Sequence, residues 1–85
     1  MVRVTSVEAT HNYKLKIRLS NNREGIFDVS RYLDKGIFQE LKDPGYFRKV
    51  RVAFGGVMWP HEQDFSAETI EHELQRQDES QKVIA

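Results

Sequence analysis

Tyr13-Lys14-Leu15-Lys16-Ile17-Arg18-Leu19 is the stretch that decides the fold. Apolar side chains stand at 13, 15, 17 and 19, and cations at 14, 16 and 18. A period of two is the pattern of a strand with one face buried and the other in water. Upstream, residues 2–9 are rich in Val and Thr and suit a second strand, and His11-Asn12 is a polar break between the two. Downstream, Asn21-Asn22 can take the left-handed backbone of a tight turn. Glu24-Gly25-Ile26-Phe27-Asp28-Val29 supplies a third strand. Links this short exclude a parallel crossover, so the three strands read as an antiparallel meander.

The rest of the chain is more broken. Ser30 suits the start of a turn through Tyr32-Leu33, which Gly36 interrupts. Phe38 and Leu41 stand three apart, as on one helical face. Asp43-Pro44 fits a helix cap followed by proline at the first helical position, which predicts a helical turn over Pro44 to Phe47. Residues 49–54 alternate again, with Val50, Val52 and Phe54 expected inward and Arg51 outward. Gly55-Gly56 reads as the two-residue link of a hairpin, Val57-Met58-Trp59 as its partner strand, and Pro60 as its end. Ser66 is the expected cap of a last helix, with Phe65 and Ile70 spaced as a hydrophobic staple. Ile70 and Leu74 are its apolar stripe. Residues 1–77 therefore read as a single α+β domain in two layers: three antiparallel strands, a short helical segment, a two-strand hairpin and a C-terminal helix. All strands are expected in one twisted sheet with the helical pieces on one face. Residues 78–85 are expected to fray.

Eighty-five residues allow one core. There is no cysteine, which excludes disulfides, thiolate metal sites and cysteine nucleophiles, and suits a cytoplasmic protein. No apolar run resembles a signal peptide or a membrane span, so no membrane partner is expected. The formal net charge of zero conceals an asymmetry. Residues 1–60 hold 11 basic and 6 acidic side chains, a net of +5, whereas residues 61–85 hold 2 and 7, a net of −5.

Ile37-Phe38-Gln39-Glu40-Leu41-Lys42-Asp43-Pro44-Gly45-Tyr46-Phe47, then Val50 to Phe54, Gly56-Val57-Met58-Trp59-Pro60 and Asp64, carry a resemblance to the bacterial DUF2442 family. The opening fits too: a Val-rich strand, a Tyr-x-Leu strand, a polar turn, a strand ending at Asp28, a short helix and Gly-x-Phe over Gly36 to Phe38. The resemblance spans roughly residues 2–72, and Trp-Pro followed by Asp is its most specific part. It implies a two-layer α+β fold with no assigned activity. Some members of that family carry an added helix-turn-helix, and many are encoded beside another small protein in an arrangement like a toxin–antitoxin pair. This chain departs from the pattern twice. Asn21-Asn22 stands where Asp-Gly is usual, and His61-Glu62 stands where a polar residue and Gly are usual.

Three groups of residues are candidates for function. The outward row Lys14, Lys16, Arg18 has the spacing of successive phosphates, about 6.8 Å, and Arg51 would join it if the strand at 49–54 shares that face. The plainer reading is a solvated sheet face. The Trp59-Pro60-His61-Glu62-Gln63-Asp64 loop is the second. His61, Asp64 and His72 could in principle gather at a metal, but the two histidines match no metal-site spacing, and Glu68–His72 reads more simply as a helix-surface pair. Trp59 reads as core or a pocket wall, with Asp64 and Asp28 bonding turn amides. The acidic stretch from Glu62 to Glu79 is the third, and it either covers the basic sheet face or projects. No catalytic set and no cofactor are expected. The leading expectation is a non-enzymatic module that binds another small protein. The alternative is a nucleic-acid-binding or autoregulatory module working through the basic row.

Overall fold

The alternating stretch forms the central strand of a meander. β1 (Val4–Ala9), β2 (Lys14–Leu19) and β3 (Glu24–Asp28) pair antiparallel in that order, with Val7 opposite Ile17, Glu8 opposite Lys16 and Leu15 opposite Phe27. Leu15, Ile17 and Leu19 are almost completely buried, as period two requires. Burying each is worth about 1.5–3 kcal/mol, which fixes the register, because a one-residue slip would send all three into water. The structure is a computed structural model that describes residues 1–75 in full and 76–84 as backbone. The fraying expected over 78–85 falls outside the fully described residues.

The turn chemistry follows the sequence. Asn22 takes φ 69°, its N–H bonds the Leu19 carbonyl at 3.0 Å, and the Asn21 side chain accepts from Arg23 N–H at 3.1 Å. Asp28 Oδ1 accepts from the Ser30 amide at 2.9 Å and its hydroxyl at 2.6 Å. Tyr13 departs from the expectation. It precedes β2 in a 3-10 turn over His11–Tyr13, where Asn12 and Tyr13 hold φ 61° and 60°. Its ring meets Phe47 edge-on at 5.4 Å and its hydroxyl donates to the Lys42 carbonyl at 2.5 Å.

Residues 29–50 carry the chain across the core in helical turns at Ser30–Tyr32, Gly36–Lys42 and α1 (Pro44–Phe47), the last capped by Asp43, whose side chain accepts from Gly45 N–H at 2.9 Å. Because of this passage the later strands do not extend the meander. β4 (Arg51–Ala53), β5 (Gly56–Met58) and β6 (Asp64–Phe65) form a second antiparallel sheet, where one sheet was expected. The two sheets touch where Val4 N–H bonds the Gly55 carbonyl at 2.8 Å. Alternation tells which face a residue takes, not which strand lies beside it.

The hairpin link is also shifted by one residue. Phe54 and Gly55 form the turn, at φ 50° and 79°, and Gly56 opens β5 because a Cβ there would lie 2.2 Å from the Phe65 carbonyl oxygen. Phe54 is consequently 94% exposed and not inward, whereas Val52 pairs with Val57 on the inner face and is 40% exposed because β4 is the edge strand. Val57 and Phe65 take the inner positions of this sheet, and Phe54 projects from the turn itself.

α2 (Ala67–Ile84) begins at Ser66, whose hydroxyl accepts from Thr69 N–H at 3.2 Å. Ala67, Ile70 and Leu74 enter the same core as Leu15, Phe27 and Trp59. Leu74 lies over Gly25, where a Cβ would come 2.6 Å from Leu74 Cδ2. Gly25 pairs with Ile17 on the inner face. The helix therefore docks on the apolar side of the meander, and Arg31 Nη1 reaches Glu73 Oε2 at 3.0 Å alongside. Phe65 is the hub of the core, with ring centres of Phe27, Tyr32, Phe38 and Trp59 at 4.9, 4.9, 5.1 and 6.0 Å.

Candidate functional site

With α2 on the inner face, the outer face of the meander is open. Lys14, Lys16 and Arg18 form one row along β2, as expected. The neighbouring strands set a carboxylate against each cation: Asp28 opposite Lys14, Glu8 opposite Lys16 and Glu24 opposite Arg18. Arg18 Nε bonds Glu24 Oε2 at 2.9 Å, and this guanidinium holds the Glu24 carboxyl below its usual value. Ile26 adds a partly exposed apolar side chain between Glu24 and Asp28. The face carries charge of both signs over a shallow depression of about 530 Å³. Arg51 does not join it. β4 belongs to the second sheet, where Arg51 stands opposite Met58, its Nη2 4.0 Å from the sulfur.

The loop from Trp59 to Asp64 is ordered from within. Trp59 is fully buried and donates its indole N–H to the Phe47 carbonyl at 2.9 Å, so it anchors the loop and does not face a partner. Glu62 N–H bonds the Trp59 carbonyl and Trp59 N–H the Gln63 carbonyl, both at 2.9 Å, closing a three-residue hairpin loop between β5 and β6. Glu62 occupies the left-handed position at φ 74°, the conformation glycine takes most freely.

Asp64 does not bond turn amides. It lies on β6 opposite Met58, exposed, and Gln63 does the polar work. Gln63 is 1% exposed. Its Oε1 accepts from Tyr46 OH at 2.7 Å, while Nε2 donates to the Ile37 carbonyl at 3.0 Å and to Glu40 Oε1 at 2.9 Å. Tyr46 OH in turn accepts from His61 N–H at 2.8 Å. Glu40 Oε2 lies 2.6 Å from His61 Nδ1, and the imidazole stacks on Tyr46 at 5.2 Å. The Gln63 amide holds the Glu40 carboxyl below its usual value; partial burial opposes this and His61 adds to it. A carboxylate that orients an imidazole is a familiar catalytic part. Among the described residues the imidazole makes its one hydrogen bond to Glu40, and the pair ties the loop to the helical segment. Nor are three or more potential metal ligands gathered anywhere among the described residues, so His61, Asp64 and His72 do not form the cluster considered from sequence.

From sequence, Gln63 stood out only as one member of the candidate loop, and Glu40 and Tyr46 carried no expected role. One signal was present for Gln63: it alternates with Asp64 and Phe65, inward, outward, inward, and reading 63–65 as a strand would have placed it in the core. For Glu40 and Tyr46 there was none, because their partners lie 21 and 17 residues away.

Among the described residues no helix is long and apolar enough to cross a membrane. The fold and the loop network together define a small α+β domain of two three-stranded antiparallel sheets closed by one helix. The family model described as "Protein of unknown function (DUF2442)" matches residues 4–76, most of the chain, and the chain belongs to that family. No curated protein and no solved structure matches it.

Proposed function

We propose that the domain is a non-enzymatic bacterial interaction module, working in the cytoplasm, that binds another small protein as a toxin–antitoxin-like partner or a regulator. The observation that carries this reading is the charge pattern of the open sheet face. Each cation of β2 has a carboxylate directly across the strand, Asp28, Glu8 and Glu24 in turn. A polyanion is held by a surface of one sign, whereas a surface of alternating sign complements another protein. Affinity capture from a lysate of the source cell is the test. A single protein retained in stoichiometric amount at 200 mM salt supports the reading, and repeated capture of none counts against it.

Nucleic-acid binding or autoregulation through Lys14, Lys16, Arg18 and Arg51 is the second reading. It is favoured by Arg48, Lys49 and Arg51, which pair with no carboxylate among the described residues. A gel shift with the DNA upstream of its own gene separates the two readings. Binding that weakens steeply from 50 to 200 mM salt supports nucleic acid, and a flat response removes it.

A further inference from the structure

Phe54 is an aromatic side chain that the fold does not use. It is 94% exposed, at the tip of the β4–β5 hairpin. Its backbone is at φ 50°, followed by Gly55 at 79°, a pair of left-handed residues that asparagine and glycine adopt readily and a bulky residue does not. The tip is tied to β1, because Val4 N–H bonds the Gly55 carbonyl at 2.8 Å. Beside it lies a depression of about 250 Å³ that also reaches Val2 and Ala67. Val52, 40% exposed, extends the apolar surface along β4.

Arg3 stands beside Gly55 and, with Glu68, lines that depression, while β4 and the residues leading into it are basic. From Arg48 to Pro60 the chain holds three cations and no carboxylate. Folding thus gains nothing from the exposed ring, and it accepts a costly backbone conformation to present it rigidly. A large, rigid aromatic held in place before binding is the usual anchor of a protein interface.

We infer that Phe54 is that anchor, and that the partner offers an apolar pocket rimmed by carboxylates, which receives the ring while the rim meets Arg51 and Lys49. The inference rests on the protein-partner reading and names the surface and chemistry that reading leaves open. A nucleic-acid base or a lipid surface would also accept an exposed ring. The isolated single aromatic favours a pocket over a stacking track, which uses successive rings.

The test compares the wild-type domain with Phe54→Asn, Phe54→Ala, Arg51→Glu and Lys16→Glu as affinity baits in one lysate. Asparagine before Gly55 suits the turn, so Phe54→Asn should melt about 2–6 °C above the wild type. It should nonetheless lose at least tenfold in captured partner. Phe54→Ala should lose a similar amount, Arg51→Glu should lose less and only at low salt, and Lys16→Glu on the other sheet should change capture less than twofold. A photoreactive phenylalanine analogue at position 54 should cross-link to a segment of the captured protein that carries Asp or Glu beside apolar residues. Capture by Phe54→Asn within twofold of the wild type overturns the anchor and leaves the protein-partner reading standing. Capture of nothing by the wild type overturns both. Sedimentation of the wild type, but not Phe54→Asn, with vesicles of three parts phosphatidylcholine to one part phosphatidylserine overturns the pocket and assigns the tip to lipid.

Discussion

Replacing Gln63 with leucine removes a buried amide that ties the β5–β6 loop to the helical segment. Leucine is close in volume, so the change tests hydrogen bonding and not cavity formation. Three bonds are lost; the two to uncharged groups, from Tyr46 OH at 2.7 Å and to the Ile37 carbonyl at 3.0 Å, are each worth about 1 kcal/mol net, and the third is to Glu40. Tyr46 OH still accepts from His61 N–H, but its own proton has no acceptor, a further cost of about 1–3 kcal/mol. The apolar surface that leucine buries returns about 1 kcal/mol. The expected loss is about 2–4 kcal/mol, or a melting temperature lower by about 10–30 °C for a chain of this size. In urea the midpoint should fall by about 1–2 M, followed through the emission of Trp59, the single tryptophan. The loss should also depend on pH. The Glu40 carboxyl is held low chiefly by the Gln63 amide, so its contribution is fully present above its unfolded value and fades as pH falls through the lower folded one. The gap between the two proteins should therefore be widest near neutrality and narrow in acid below about pH 4. A midpoint within about 0.3 M of the wild type at pH 7 would show that the network is decoration.

Three further changes probe backbone positions and the loop anchor. Glu62→Gly relieves the left-handed residue at φ 74° and should stabilise by about 0.5–1 kcal/mol after the glycine's own entropy cost, read as a rise in thermal midpoint. Gly56→Ala should destabilise by about 2 kcal/mol or more, because the new methyl meets the Phe65 backbone and not a side chain that can swing away; urea melts will show it. Trp59→Phe should cost about 2–3 kcal/mol, since the Phe47 carbonyl loses its donor and the core loses volume, and circular dichroism replaces tryptophan emission as the probe.

The first half of the fold was legible because its information is local. Tyr13 to Leu19 announces a strand by period, Asn21-Asn22 a turn by backbone preference, and Asp43-Pro44 a helix start by capping geometry. Each rests on neighbours in sequence, and the structure agrees at β2, the Asn22 turn and α1. The second sheet was misread for the converse reason. β4 and β5 are three residues each and β6 two, too short for a period to show. Phe54 was placed in the turn by where Gly56 must sit against Phe65, a contact between residues nine apart. The departure at Glu62 could be seen in the sequence, but its meaning could not. Only the hairpin geometry shows that this residue stands at the position where the backbone turns left-handed.

Among the described residues the acidic helix is held to the basic body by apolar burial more than by charge. Ala67, Ile70 and Leu74 dock α2 on the apolar side of the meander, and Arg31–Glu73 is an edge pair with Arg31 about half exposed, worth little by itself. Burial of Ile70 and Leu74, about 1.5–3 kcal/mol each, holds the helix, so salt should leave its docking intact. What salt can change is how the two open surfaces meet a partner. On the meander the cations already face carboxylates across the strands, so added ions have little to screen. At the start of β4 and just before it, Arg51, Lys49 and Arg48 take part in no ion pair among the described residues. Salt-sensitive association should therefore map to the hairpin, and charge reversal at Arg51 should flatten the salt dependence while reversal at Lys16 leaves it in place.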